Sequence, residues 1–269
     1  MGLKDIRAAY LAQGMDYENA SAKAAQEAIL ELIATSPFSG RVTIKGGVLM
    51  QQLSKDVRRA TLDIDFDFMR YSISDLSIKK FLGVLNASTS EYMVTAQGSI
   101  MELKHHDYSG KRVHVIVSDR QGTKIATKLD IGVHNALNLK QKSVCFDVTQ
   151  LIDGITLLAN SKEQVVAEKL KSLLRIGAAS TRYKDVFDIY YLLIVSGVEK
   201  TSLETALAVY IYEDSSMRER NVHDIARRLE RVLNDRRFRN QLSKAKNDWL
   251  GVPVGKVTSS LLNYFAHFE

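Results

Sequence analysis

Apolar residues recur at helical spacing between Asp16 and Thr35, where Ala24, Ala25, Ala28, Ile29, Leu32 and Ile33 fall on one side. The segment Ser36-Pro37-Phe38-Ser39-Gly40 has turn composition and ends that helix. A strand is predicted over 41–44, then Gly46-Gly47 and a short apolar helix to about Lys55. Residues 63–68 alternate strictly between aspartate and apolar residues, which is the period of a strand. Ser74 is placed to cap a helix reaching Leu85. Further strands are predicted over 92–95, 100–103, 112–117 and 125–133, separated by turn residues at Gly98, Ser109-Gly110 and Gly122, with a last strand ending near Val148. From Ser161 almost to the end the pattern is helical, and only two prolines, Pro37 and Pro253, interrupt the chain. An α+β domain over 1–155 and an all-helical domain over 156–269 are therefore expected, the stretch 151–160 being apolar enough to be packed and so not a free linker.

Composition narrows the setting. At 269 residues, 45% hydrophobic and 25% charged, the chain has the profile of a soluble globular protein. Its one cysteine, Cys145, rules out an intrachain disulfide and a thiolate zinc cluster. No apolar run approaches the roughly 18 residues of a membrane span, and the first residues do not form a secretory signal. A cytoplasmic protein without a membrane partner is expected.

Charge adds a local feature. The formal charge is +6, and between Arg218 and Lys246 ten basic residues face four acidic ones, so this segment carries the whole excess. Arg227, Arg228, Arg231, Arg236 and Arg237 are its candidate nucleic-acid-binding residues. The other reading is a solvated helix with internal pairs such as Asp224 with Arg228 and Arg227 with Glu230.

The candidate chemistry lies on the strands. Side chains of a strand alternate between faces, so Asp63, Asp65 and Asp67 share one face and Ile64, Phe66 and Phe68 the other. Carboxylates so placed repel one another unless a cation stands between them, and hard oxygen ligands suit Mg²⁺ or Mn²⁺. Asp67 is better read as a structural residue. Asp130, in a second predicted strand, completes a three-carboxylate cluster if that strand neighbours the first. Gly46-Gly47 is either a tight turn or a place where the backbone comes close to a ligand at a helix start. Arg59 pairs with a phosphate or with the acidic strand.

In the helical half, Lys169 falls inside the apolar arc of Val165, Leu170 and Leu173, so it must snorkel or meet an anion, either an aspartate or a phosphate. A helix is predicted over 184–195, apolar nearly all round, carrying Asp185 and Asp188. Arg182, Lys184 and Lys169 are their possible partners. His105-His106 has no helical ligand spacing and reads as surface.

These residues together resemble the AbiEii/AbiGii-type nucleotidyltransferase toxins of the polymerase-β-like superfamily. The resemblance runs from Lys45-Gly46-Gly47 through Arg59-Ala60-Thr61-Leu62-Asp63-Ile64-Asp65-Phe66 and Glu168-Lys169-Leu170 to Arg182-Tyr183-Lys184-Asp185-Val186-Phe187-Asp188. It implies a mixed-sheet nucleotidyltransferase domain followed by a helical domain. It also implies a toxin of a toxin–antitoxin or abortive-infection system, with a cognate antitoxin. Asp63 and Asp65 match the metal-binding pair, Lys169 the lysine that meets the triphosphate, and Asp188 or Asp185 the late catalytic aspartate. Where the superfamily has Gly-Ser, this chain has Gly47-Val48 and lacks the serine hydroxyl.

The expected reaction is Mg²⁺-dependent transfer of a nucleotide from a nucleoside triphosphate to RNA, with tRNA as the favoured acceptor. Catalytic roles fall to Asp63, Asp65, Asp130, Lys169 and Asp188, of which Asp63, Asp65 and Asp130 are the metal ligands. Nucleotide binding falls to Gly46, Gly47, Arg59, Lys169, Arg182 and Asp185. The alternatives are transfer to a protein or small-molecule hydroxyl, and a non-catalytic nucleic-acid-binding protein.

Overall fold

The computed structural model describes residues 1–268 except Ser90, His106, Asp107, Leu137, Ala245 and Lys246, and describes Lys104, His105, Tyr108 and Ser109 by backbone alone. Two helices open the chain. The first, α1 (Leu3–Ala12), is absent from the sequence reading because its apolar face is only three residues, Leu3, Ile6 and Tyr10. The second, α2 (Tyr17–Ala34), starts where Asp16 accepts a hydrogen bond from the Asn19 amide. It is buried on nearly every side, polar residues included, which exceeds the single apolar face that its periodicity predicts.

After α2 come β1 (Val42–Lys45), α3 (Gly46–Ser54) and β2 (Asp63–Phe68), with a 3₁₀ turn at Val57–Arg59 between α3 and β2. The next helix, α4 (Asp75–Ser88), is capped by Ser74 as expected. Then follow β3 (Tyr92–His105), β4 (Tyr108–Asp119), β5 (Lys124–Val133), β6 (Lys142–Val148) and β7 (Leu151–Ala159). The two short strands predicted around Gly98 are one long strand. Its register against β4 shifts between Gln97 and Met101, and Gly98 absorbs the irregularity at φ +68°. The stretch after Val148 is a strand too, so 151–159 belongs to the sheet, and the first compact unit ends at Asn160, five residues beyond the expected 155.

The sheet order is β3-β4-β5-β2-β1-β7-β6. β2 runs parallel to β5 and antiparallel to β1, and β1 runs parallel to β7, so the sheet is mixed and the fold α+β. One face of β2 presents Ile64, Phe66 and Phe68, all fully buried. Phe66 and Phe68 pack with Phe38 and Phe81, the Phe38 and Phe81 rings meeting edge-on with centroids 4.9 Å apart. Full burial of each such ring contributes roughly 1.5–3 kcal/mol. This apolar anchoring pins the register of β2 and thereby aims its aspartates to the other face.

The second unit, Ser161–Glu269, is helical. Its first helix, α5 (Lys162–Ile176), begins with a reciprocal capping box between Ser161 and Gln164. Next is α6 (Tyr183–Tyr190), shorter than the predicted 184–195 helix because Tyr191–Ser196 continues as a wider π-helical turn. A second π segment, Ala208–Tyr212, follows α7 (Lys200–Leu207). The remaining helices are α8 (Val222–Asn234), α9 (Arg236–Leu242) and α10 (Val254–Ala266). Among the described residues no helix is long and apolar enough to cross a membrane.

Candidate active site

Four neighbouring strands carry a row of charge. Arg112 on β4 is the register partner of Asp130 on β5, Asp130 is the partner of Asp65 on β2, and Asp65 is the partner of Lys45 on β1. One position along β2, counting side chains on the same face, Asp63 is paired with Lys128 of β5. β2 and β5 are therefore adjacent, the condition under which Asp130 joins the acidic strand.

The cations do not distribute evenly. Lys45 Nζ lies 2.7 Å from Asp67 Oδ1, and Asp67 is almost fully buried, so its role is structural as expected. Lys128 Nζ lies 3.6 Å from Asp63 Oδ1. Arg112 makes a two-pronged contact with Asp130: Nε donates to Oδ1 at 2.7 Å and Nη2 to Oδ2 at 2.6 Å. The same Nη2 lies 3.9 Å from Asp63 Oδ2. Asp65 has no ion-pair partner among the described residues. Its Oδ2 accepts a long hydrogen bond from the Gly47 amide, 3.4 Å, at the start of α3.

The glycine pair is explained by these neighbours. Gly46 has φ +62°, and a Cβ there would stand 2.1 Å from Asp65 Oδ2. A Cβ on Gly47 would stand 2.5 Å from the Thr61 side chain. Glycine at both positions lets the helix start close over Asp65 and Thr61. Arg59 is buried at the end of the 3₁₀ turn.

Partial burial, together with the Asp130 and Asp63 charges, pushes the Asp65 carboxyl up to about 6, against the opposing pull of Lys45 and the Gly47 amide. Asp63 Oδ1 is buried without a hydrogen bond, its nearest cation being Lys128. A crowded pair of carboxylates, one short of a counter-charge and one with an unsatisfied oxygen, fits a hard divalent cation bound through two carboxylates. Among the described residues no group of three or more His, Cys, Asp or Glu side chains is arranged as a complete metal cage, and Asp130 is engaged by Arg112.

Lys169, Asp185 and Asp188 form a cluster within the helical unit. Lys169 is in ion contact with Asp185 Oδ1 and with Asp188 Oδ2, the latter at 2.9 Å. Of the options open to Lys169, the structure takes the aspartates. Arg182 Nη1 is 3.8 Å from Asp185 Oδ2. Asp188 is fully buried, and its Oδ1 accepts a hydrogen bond from Trp249 Nε1 at 3.0 Å. Trp249 also packs on Tyr191, centroids 5.5 Å apart. Neither Arg112 nor Trp249 is found by reading motifs. The signal for Arg112 is a cation at a strand start, and the pairing of β4 with β5 gives it meaning.

The basic segment is amphipathic. α8 buries Ile225, Leu229, Val232 and Leu233, and α9 buries Phe238 and Leu242. Arg227, Arg231, Arg236 and Arg237 are exposed. Arg228 is half-buried, and its Nε donates to the Leu174 carbonyl in α5, so it braces that helix end. The expected pairs within α8 are replaced by one between Arg227 and Asp224. An open pocket of about 270 Å³ is lined by Arg218, Glu219, Asp224, Arg227, Arg228 and Arg231. Lys246 and His106 lie outside the described residues, as does the His105 side chain.

A family model described as nucleotidyl transferase AbiEii toxin, type IV toxin–antitoxin system, matches residues 28–251. No curated protein matches the chain. The chain is similar to the crystal structure of an antigenic nucleotidyltransferase-like protein from Paracoccidioides brasiliensis, at 14% identity and TM-score 0.47, over 82% of this chain and 91% of that one.

Proposed function

We propose, from the premise that this chain belongs to the AbiEii family of nucleotidyltransferase toxins of type IV toxin–antitoxin systems, that it moves a nucleoside monophosphate from a nucleoside triphosphate onto an RNA hydroxyl. The carrying observation is the pair Asp63 and Asp65, held on one face of β2, with Asp65 in no ion pair among the described residues and facing the first turn of α3. In the reaction the acceptor oxygen bonds to the α-phosphorus, the bond from that phosphorus to the leaving pyrophosphate breaks, and the hydroxyl proton passes to a base.

Asp63 and Asp65 would hold Mg²⁺ or Mn²⁺, which when bound supplies neutralisation of phosphate charge. Above pH 6 Asp65 is mostly ionised and available for that task. The α3 amides and the Gly46-Gly47 backbone offer partial positive charge beside it. The role expected of Asp130, a second cation's ligand or the proton acceptor, requires an oxygen that Arg112 does not occupy, and Arg112 occupies both. Lys169 would meet the triphosphate and Asp188 or Asp185 would be the late catalytic aspartate, as the family resemblance implies; Arg59 would neutralise phosphate charge and Arg182 would help bind the nucleotide. The exposed arginines of α8 and α9 would hold the acceptor backbone, which favours RNA over a protein or small-molecule hydroxyl, and the family resemblance makes tRNA the first acceptor to test. As a member of a toxin–antitoxin family, the protein is opposed by an antitoxin.

The test is incubation of purified protein with each α-labelled nucleoside triphosphate, total tRNA and Mg²⁺. Label enters RNA, chelation stops it, and Asp63→Ala lowers the rate at least about 10³-fold without changing the melting temperature by more than a few degrees. Label in protein instead of RNA moves the acceptor. Label in neither, with every triphosphate, rejects the reading.

A further inference from the structure

We propose that Arg112 is a phosphate-contacting residue of the transfer site, and that Asp130 positions it instead of serving as a third cation ligand. This rests on the nucleotidyl-transfer reading of Asp63 and Asp65. Arg112 lies outside every segment that carries the family resemblance. It is placed by the sheet: its register partner Asp130 takes both prongs of the guanidinium, and its Nη2 is 3.9 Å from Asp63. A guanidinium forked onto a carboxylate is fixed in orientation, so little further ordering is needed when a phosphate arrives. The Arg112 side chain remains 28% accessible, against 11% for Asp130, so the cation is the more open member of the pair.

Charge supports the same division of labour. Arg112 and Lys128 stand with Asp63, Asp65 and Asp130, and Lys45, which also acts on Asp65, is matched by Asp67. This group is one negative charge in excess. A divalent cation on Asp63 and Asp65 turns that into one positive charge in excess, with Arg112 beside it as a second, protein-borne cation suited to phosphate oxygens. Two carboxylates plus phosphates already meet the usual demand of Mg²⁺, so Asp130 need not leave Arg112 to complete the set.

The test uses the full chain carrying Arg112→Gln, Asp130→Asn or both. Binding of Mn²⁺ to the nucleotide-free protein is read by electron paramagnetic resonance. Affinity for α,β-methylene analogues of the four common ribonucleoside triphosphates is read by calorimetry in Mg²⁺. Each single variant weakens the best-bound analogue at least about 10-fold, the double variant is worse by no more than about 2-fold, and Mn²⁺ affinity stays within about 3-fold of wild type. The double variant removes both charges and does not strand the Asp130 carboxylate, so it keeps the test valid if Arg112→Gln alone fails to fold. A loss of about 10-fold or more in Mn²⁺ affinity in Asp130→Asn makes Asp130 a ligand and overturns the proposal. Unchanged analogue affinity in the double variant makes the pair structural and overturns it too. A wild-type protein that binds no analogue defeats the transfer reading, and this inference with it, before any variant is compared.

Discussion

The acidic strand and the lysine cluster of α5 and α6 use the same residue types to opposite ends. In the helical unit Lys169 sits against two aspartates, and Asp188, fully buried, receives both the ammonium and the Trp249 N–H. Every charge there is answered from within the protein. On β2 and β5 the answer among the described residues is incomplete: Asp67 has Lys45, Asp130 has Arg112, Asp63 has Lys128 at 3.6 Å and Arg112 at 3.9 Å, and Asp65 has a long amide contact and no ion pair. A closed cluster holds helices together. An open one, with a carboxyl pushed toward neutrality by burial and then by its like-charged neighbours, stands ready for a cation.

The sharpest way to break that contrast is Lys169→Met. It removes the ammonium that Asp185 and Asp188 share, and the loss in unfolding free energy is about 3–5 kcal/mol by urea titration. Asp188→Asn added to it keeps an acceptor for Trp249, removes the stranded charge and recovers more than half of the loss. Asp63→Asn on the open cluster changes stability by less than about 1 kcal/mol. If Lys169→Met unfolds like wild type, the helical cluster is not closed and the comparison fails.

How much of this is legible in the sequence follows from which contacts are local. The alternation of residues 63–68, the Ser74 cap and the polar residue within the α5 apolar arc are local patterns, and each has its element or partner in the structure. The Arg112–Asp130 fork is not local: it needs the antiparallel pairing of β4 with β5, and nothing in the two segments alone states that pairing. The Trp249–Asp188 bond spans 61 positions and is equally invisible. β7 is missed because 151–159 is bounded by no strong turn signal other than Thr149-Gln150. The glycine pair is seen, but its reason, the closeness of Asp65 and Thr61, is a matter of three-dimensional approach.

A smaller effect sharpens the closed side. Trp249→Phe keeps an aromatic ring against Tyr191 and removes only the N–H that Asp188 accepts. The expected loss is about 1.5–3 kcal/mol, the range for a hydrogen bond to a charged group. It is measured by far-ultraviolet circular dichroism in urea, since the chain has no other tryptophan. A loss below about 0.5 kcal/mol would mean that Lys169 alone satisfies Asp188.

The smallest effect tests the open side and carries a sign. Asp65 is raised in the folded protein from 3.8 to about 6, chiefly by desolvation and by Asp130. Between roughly pH 4 and 6 the folded state therefore holds more protons than the unfolded chain, and this group's contribution makes stability fall as pH rises through that window. Above it the full cost of the ionised carboxylate is present, on the order of 1–2 kcal/mol once partial exposure is allowed for. Asp65→Asn escapes that cost. In metal-free buffer it unfolds at the same urea concentration as wild type at pH 4 and at a higher one at pH 7, with the gap opening between these values. Mg²⁺ narrows the gap at pH 7 by stabilising wild type alone, since only wild type keeps the ionised pair that binds it. A variant less stable than wild type at pH 7 would show that Asp65 is answered by partners inside the protein, and the two clusters would then be of one kind.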